Sequence, residues 1–244
     1  MRINVYSDKF SGTLSAAEVL KTVTSVFKDV DIQANYFPVT DGGEYSTQIL
    51  KHYNMQTEMI TMTRDFIGNW IPVEYLNVDN DIYFESASLI GVNNTSDHPF
   101  NLDTSALAEV IPNIDVLSLG GSRTVDGGVG LMSSLGIEFY REEIIITNPK
   151  PRDFKDITAV KIADSFAKLE LRVLTDTSIP LLGSNSAIAT YGPQKGLNKK
   201  DIKYLEEQLE RIYDILSLEL GIPLNPFKKD TGAAGGLSFA LGEI

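Results

Sequence analysis

Short apolar runs that end in polar, glycine-bearing turns recur along this chain. Residues 2–6 alternate as a strand does, a polar turn occupies 7–12, and from Ser15 the period lengthens. Val19, Leu20, Val23, Val26 and Phe27 then share one helical face, and Ser15 and Glu18 have the spacing of a capping box. Residues 32–39 predict a second strand that ends at Thr40-Asp41-Gly42-Gly43, with a helix over 44–52. Gly68-Asn69 marks a turn between strand-like runs at 57–63 and 71–76, and 81–85 opens another strand. Residues 114–119 run into Gly120-Gly121, and 169–174 into Thr175-Asp176. The longest predicted helix, 201–220, carries Ile202, Leu205, Leu209, Ile212 and Leu216 as one stripe, with Glu206, Glu207, Glu210 and Arg211 outward and its tyrosines packing. Strand, loop and helix in that repeated order predict an α/β protein, with ligand chemistry at the C-terminal ends of the strands.

Composition narrows this picture. At 244 residues, 43% hydrophobic and 22% charged, the chain is an ordinary globular one, with room for one large domain or two smaller ones. A soft boundary is expected at 66–68, dividing an N-terminal α/β domain, 1–66, from a second α/β domain, 67–244, that carries the glycine-rich loops. No apolar run approaches 18 residues and an acid follows soon after the first residue, so neither a membrane span nor a signal peptide is expected, and the cytoplasm is the expected location. The absence of cysteine excludes disulfides and thiolate metal sites. A net charge of -12 without a basic patch argues against nucleic-acid binding. His52 and His98, the two histidines, stand apart from the glycine-rich and acidic clusters and are read as surface or packing residues.

Four segments combine glycines with an acid: Ser7-Asp8-Lys9-Phe10-Ser11-Gly12-Thr13, Thr40-Asp41-Gly42-Gly43-Glu44, residues 120–128, and Thr175-Asp176 followed by Gly183. Phosphoryl transfer needs backbone amides close to phosphate oxygens, carboxylates for Mg²⁺ and cations for the developing charge, and these segments hold all three. Each loop alone also fits a tight turn whose Asp accepts backbone hydrogen bonds. Residues 120–128, two Gly-Gly pairs around Ser122, Arg123, Thr124 and Asp126, are the hardest to explain as a turn. They match neither a Walker A loop nor a protein-kinase glycine loop. Further on, Gly192-Pro193-Gln194-Lys195-Gly196 reads either as a Pro-Gly turn before a helix or as a rigid turn that presents Lys195 to an anion, and Gly232-Ala233-Ala234-Gly235-Gly236 as close backbone packing, the safer reading, or as room for a ligand at a helix N-terminus.

In this order the segments resemble the glycerate kinase type-1 family, whose motifs read Asp-Ser-Phe-Lys-Gly-Ser/Thr-Leu-Ser-Ala, Ala-Asp-Gly-Gly-Glu-Gly-Thr, Gly-Gly-Ser-Ala-Thr-Asn-Asp-Gly-Gly, Gly-Pro-Gln-Lys-Gly-Ala and Gly-Ala-Ala-Gly-Gly. Here residues 8–16, 40–46, 120–128, 192–197 and 232–236 match them. The resemblance implies two α/β domains, with mainly parallel sheet in the first, and ATP- and Mg²⁺-dependent phosphorylation of D-glycerate, with 2-phosphoglycerate the usual bacterial product. Carried over by position, it implies Asp8, Asp41, Asp126, Asp176 and Lys195 as catalytic residues. Gly42, Gly43, Gly120, Gly121, Ser122, Gly127 and Gly128 would bind ATP, and Asp41 and Glu44 the metal.

Departures from the pattern are specific. The lysine of the first motif stands at Lys9 rather than two positions on, Tyr45 takes the place of a glycine, Arg123 that of a small residue and Val125 that of Asn. Leu89-Ile90-Gly91-Val92 replaces Ala-Ser-Gly-Leu. Family members continue for about another third of their length, a part expected to complete the first domain. These differences set two alternatives beside the kinase: a degenerate homologue acting as a binding or regulatory protein, and one part of a split kinase. A homo-oligomer or a complementing chain would then be the partner. Tyr45 and Arg123 filling the cleft would mark the first alternative.

Overall fold

The structure, a computed structural model, describes residues 2–10, 13–30, 32–91, 95–166 and 169–243. Ser11, Gly12 and Val92, named above, lie outside the described residues. β1 (Arg2–Ser7), α1 (Ala16–Asp29) and β2 (Gln33–Pro38) form a unit in which the two strands pair in parallel, Arg2 beside Gln33 and Ser7 beside Pro38. The predicted capping box is present: Glu18 N–H donates to Ser15 Oγ at 3.3 Å and Ser15 N–H to Glu18 Oε2 at 2.8 Å. α2 (Ser46–His52) leads into β3 (Gln56–Arg64) and β4 (Trp70–Val78), a hairpin. Its turn is built by Asp65, whose Oδ1 accepts from Ile67 N–H at 3.0 Å and Asn69 N–H at 2.8 Å. The stretch 66–68, where the sequence suggests a boundary, is the tip of this hairpin.

β5 (Asp81–Glu85), the single turn α3 (Ala87–Ile90) and β6 (Val116–Ser118) follow, then α4 (Val129–Ser134), β7 (Ile137–Arg141), β8 (Ile144–Ile146), β9 (Ala159–Ile162) and β10 (Arg172–Leu174). The chain closes with α5 (Ala187–Tyr191), α6 (Lys199–Leu220) and α7 (Leu237–Glu243). Strands β10, β6, β5, β4 and β3 make a mixed sheet in that order, parallel from β10 to β5 and antiparallel beyond. β7 pairs antiparallel with both β8 and β9. The hydrophobic pattern does not predict β8, which is three consecutive isoleucines without alternation, two of them exposed.

Two large apolar clusters hold the mixed sheet and the small one. Tyr75, Phe84, Leu89, Leu107 and Leu117 pack on the first. Val129, Ile137, Phe139, Leu205, Leu209 and Tyr213 join α4 and α6 to the second, so the predicted stripe of α6 faces inward. The α/β class holds. No described helix is long and apolar enough to cross a membrane.

Candidate active-site cleft

Loops leaving β1, β2, β6 and β10 meet around a cleft of about 570 Å³. This lies within the roughly 300–1,000 Å³ usual for small-molecule sites. After β2, Thr40 Oγ1 accepts from Gly42 N–H at 3.0 Å, and Asp41 Oδ1 accepts from Gly43 N–H at 2.8 Å. The turn is fixed from below by Glu85, at the end of β5. Its carboxylate accepts from Tyr45 N–H at 3.1 Å and Thr47 N–H at 2.8 Å, and so caps the start of α2. Burial raises the Glu85 pKa above the ordinary carboxylate value. Tyr45 takes φ 70°, a left-handed backbone that explains why a glycine suits this place. Its side chain is 39% exposed and is not part of the cleft wall, so the open loop is not filled by it.

After β6 the backbone passes close to the β2 loop. A Cβ on Gly120 would stand 2.8 Å from Gly43 Cα, and Gly121, at φ +62°, leaves the Glu44 carboxylate the space a side chain would take. The hydroxyl of Ser122 accepts from Lys195 Nζ at 3.0 Å, and the carbonyl of Thr124 accepts from the same ammonium at 2.8 Å. Lys195 comes from the turn after α5 and is 6% exposed. Burial brings its pKa down to about 7; Asp126 opposes this and Arg123 adds to it. Arg123 lines the wall, with Nη2 donating to the Asp97 carbonyl at 3.3 Å, and the cleft remains open beside it.

Asp126 is wholly enclosed. Its Oδ2 accepts from Thr104 N–H at 2.9 Å, Thr104 Oγ1 at 2.8 Å and Gly130 N–H at 3.0 Å, which anchors the start of α4. Burial, helped by the charge of Asp103, pushes its pKa up to about 6. Gly127 O accepts from Tyr213 OH at 2.8 Å on α6, and Gly128 abuts Ala240 on α7. The second half of the long loop therefore packs on helices.

Of the sequence-derived site residues, Asp41, Glu44, Gly120, Gly121, Ser122, Asp176 and Lys195 line the cleft together. Asp8, Gly42, Gly43, Asp126, Gly127 and Gly128 are not in its wall. Lys9, Leu119, Val125, Ala187, Ile188, Tyr191 and Gln194 line it without having been assigned to the site. Lys9 and Gln194 had a signal, lying inside recognised motifs. The apolar members follow the same pattern as core residues and had none. Gly232 and Gly235 pack tightly against Ile179 O and Thr124 O, as read, and also form part of the wall.

Among the described residues no group of three or more His, Cys, Asp or Glu is arranged to hold a metal ion. Magnesium that arrives on phosphate oxygens needs only one or two protein carboxylates. Asp41 and Glu44, both in the wall, fit that requirement, with Lys9 Nζ already 2.6 Å from Asp41 Oδ1.

Comparison with known proteins finds relatives along nearly the whole chain. The model of the glycerate kinase family matches residues 3–244. A glycerate kinase of Halalkalibacterium halodurans is 29% identical over 98% of this chain and 67% of its own length. A glycerate 2-kinase of Escherichia coli is 26% identical over 99% of this chain and 68% of its own. The chain thus spans about two thirds of these relatives. The crystal structure assigned to glycerate kinase 2 from Salmonella typhimurium LT2 superposes with a TM-score of 0.71 over 99% of this chain and 69% of that one. At 23% identity that likeness speaks to the fold. With the family model matched almost end to end and the motif loops gathered at one cleft, the chain belongs to the glycerate kinase family.

Proposed function

We propose that this protein transfers the terminal phosphoryl group of ATP to a hydroxyl of D-glycerate, giving ADP and phosphoglycerate. The observation that carries the reading is the convergence of Asp41, Glu44, the 120–122 loop, Asp176 and Lys195 on one cleft. Lys195 and Arg123 offer cations to phosphate oxygens, and the glycines at 120–121 let the backbone come close to them. Asp176, at the end of β10, receives the proton of the attacking hydroxyl. Asp126 acts at a distance by holding the loop and the start of α4. Asp41 and Glu44 would hold magnesium, which when bound supplies countercharge to the phosphate oxygens. Catalysis then rests on positioning and electrostatics.

A second reading, in which another copy or a complementing chain completes the cleft, is favoured by one observation. Tyr6 on β1 is 64% exposed and Phe10 just after it 60%, and Tyr6 stacks on Phe37 of β2 with ring centroids 5.0 Å apart. Purified protein with Mg-ATP and D-glycerate is expected to form phosphoglycerate, with its oligomeric state read by sedimentation in the same preparation. No product from either monomer or oligomer, while a longer relative is active in parallel, would reject the kinase reading for this chain.

A further inference from the structure

The lysine displaced within the first motif has an unexpected place. Lys9 stands two residues past the end of β1, and its side chain is 8% exposed. Its Nζ donates to Asp41 Oδ1 at 2.6 Å and lies 3.9 Å from Asp8 Oδ1, with the charge of Glu44 also acting on it. Asp41 Oδ1 in turn accepts from Gly43 N–H at 2.8 Å, and Gly43 lies against Gly120. The line Lys9, Asp41, Gly43, Gly120 therefore ties together the loops that leave β1, β2 and β6. One ammonium thus stands against the carboxylates of Asp41 and Asp8, on the side of Asp41 where a divalent cation would also sit.

We infer that Lys9 is a positioning residue that serves Asp41 as a built-in substitute for a divalent cation, keeping the β2 loop formed before any metal-bearing nucleotide arrives. Removing the ammonium leaves Asp41 without its ion-pair partner, with Glu44 beside it in the cleft wall, and a free divalent ion becomes the next best partner. Strengthening by one unit charge at contact distance corresponds to about tenfold in affinity or more. The inference takes its meaning from the kinase reading, but its test involves neither ATP nor glycerate.

The probe is Mn²⁺ alone, titrated into the nucleotide-free protein and followed by electron paramagnetic resonance. Lys9→Met is expected to bind Mn²⁺ about tenfold more tightly than the unaltered chain, Lys9→Arg to match the unaltered chain, and Asp41→Asn to abolish the gain in the Lys9→Met background. Mn²⁺ should also restore the melting temperature that Lys9→Met loses, a response that simple loss of packing would not give. Equal Mn²⁺ affinity in Lys9→Met and the unaltered chain overturns the inference, as does a melting loss that Mn²⁺ leaves untouched. Should Lys9→Met fail to fold, Lys9→Gln is read in the same way. A chain that makes no phosphoglycerate can still show the Mn²⁺ response, and an active kinase can lack it, so the two claims fail separately.

Discussion

Lys195 is a cation whose charge is conditional. Burial holds its pKa near 7, against 10.5 for a free lysine, so above pH 7 the ligand-free protein carries it largely neutral. An anion bound beside it favours the protonated form, and binding above pH 7 must take up a proton. Nucleotide affinity is therefore expected to fall as pH rises from 7, by up to about tenfold per unit, and to lose most of that slope in Lys195→Met. Calorimetric titration at several pH values, in two buffers of different ionisation enthalpy, measures both the slope and the proton. At this scale the sequence was partly legible. The identity of Lys195 was readable from its motif, but its burial under Ser122 and Thr124 depends on residues more than seventy positions away. Tyr45 shows the reverse: its residue type suggested an obstruction, while the backbone angle turns the ring out of the wall.

At the scale of elements, the loops are only as well placed as the helices and strands that hold them. α2 is a short helix whose first amides are satisfied by Glu85 from another strand. Glu85→Ala should leave two half-buried amides without their carboxylate and cost about 1–3 kcal/mol, a fall of roughly 2–12 °C in melting temperature. Glu85→Gln should recover part of it. Thermal unfolding checks the first figure, and a matching loss of nucleotide affinity would show that the helix start carries the Asp41 loop. The strands 81–85 and 114–119, the capped helix from Ser15 and the long helix near 201–220 were readable because period and caps are local signals. Glu85 as a cap was not, since nothing near it in sequence points to residues forty positions earlier. Asp126, read from its motif as a catalytic acid, likewise gives no local sign of the three donors from Thr104 and Gly130 that enclose it.

For the whole molecule, the net charge of -12 sets the conditions under which an anionic substrate is met. The cleft answers it with local balance: Lys9, Arg123 and Lys195 against Asp41, Glu44 and Asp176. That balance is divided between two unequal supports. Ser122, Arg123 and Lys195 belong to the part held by the large apolar clusters, whereas Lys9 and Asp41 hang from β1 and β2. In that unit the fourteen-residue helix α1 buries only Ala16 and Leu20. Local opening costs least where buried contacts are few. Amide exchange is thus expected to be faster through residues 2–38 than through 199–220, with nucleotide slowing the former, as mass spectrometry of deuterium uptake can show. On warming, the cleft would come apart by halves: the protein would release its ligand while most of its core was still folded.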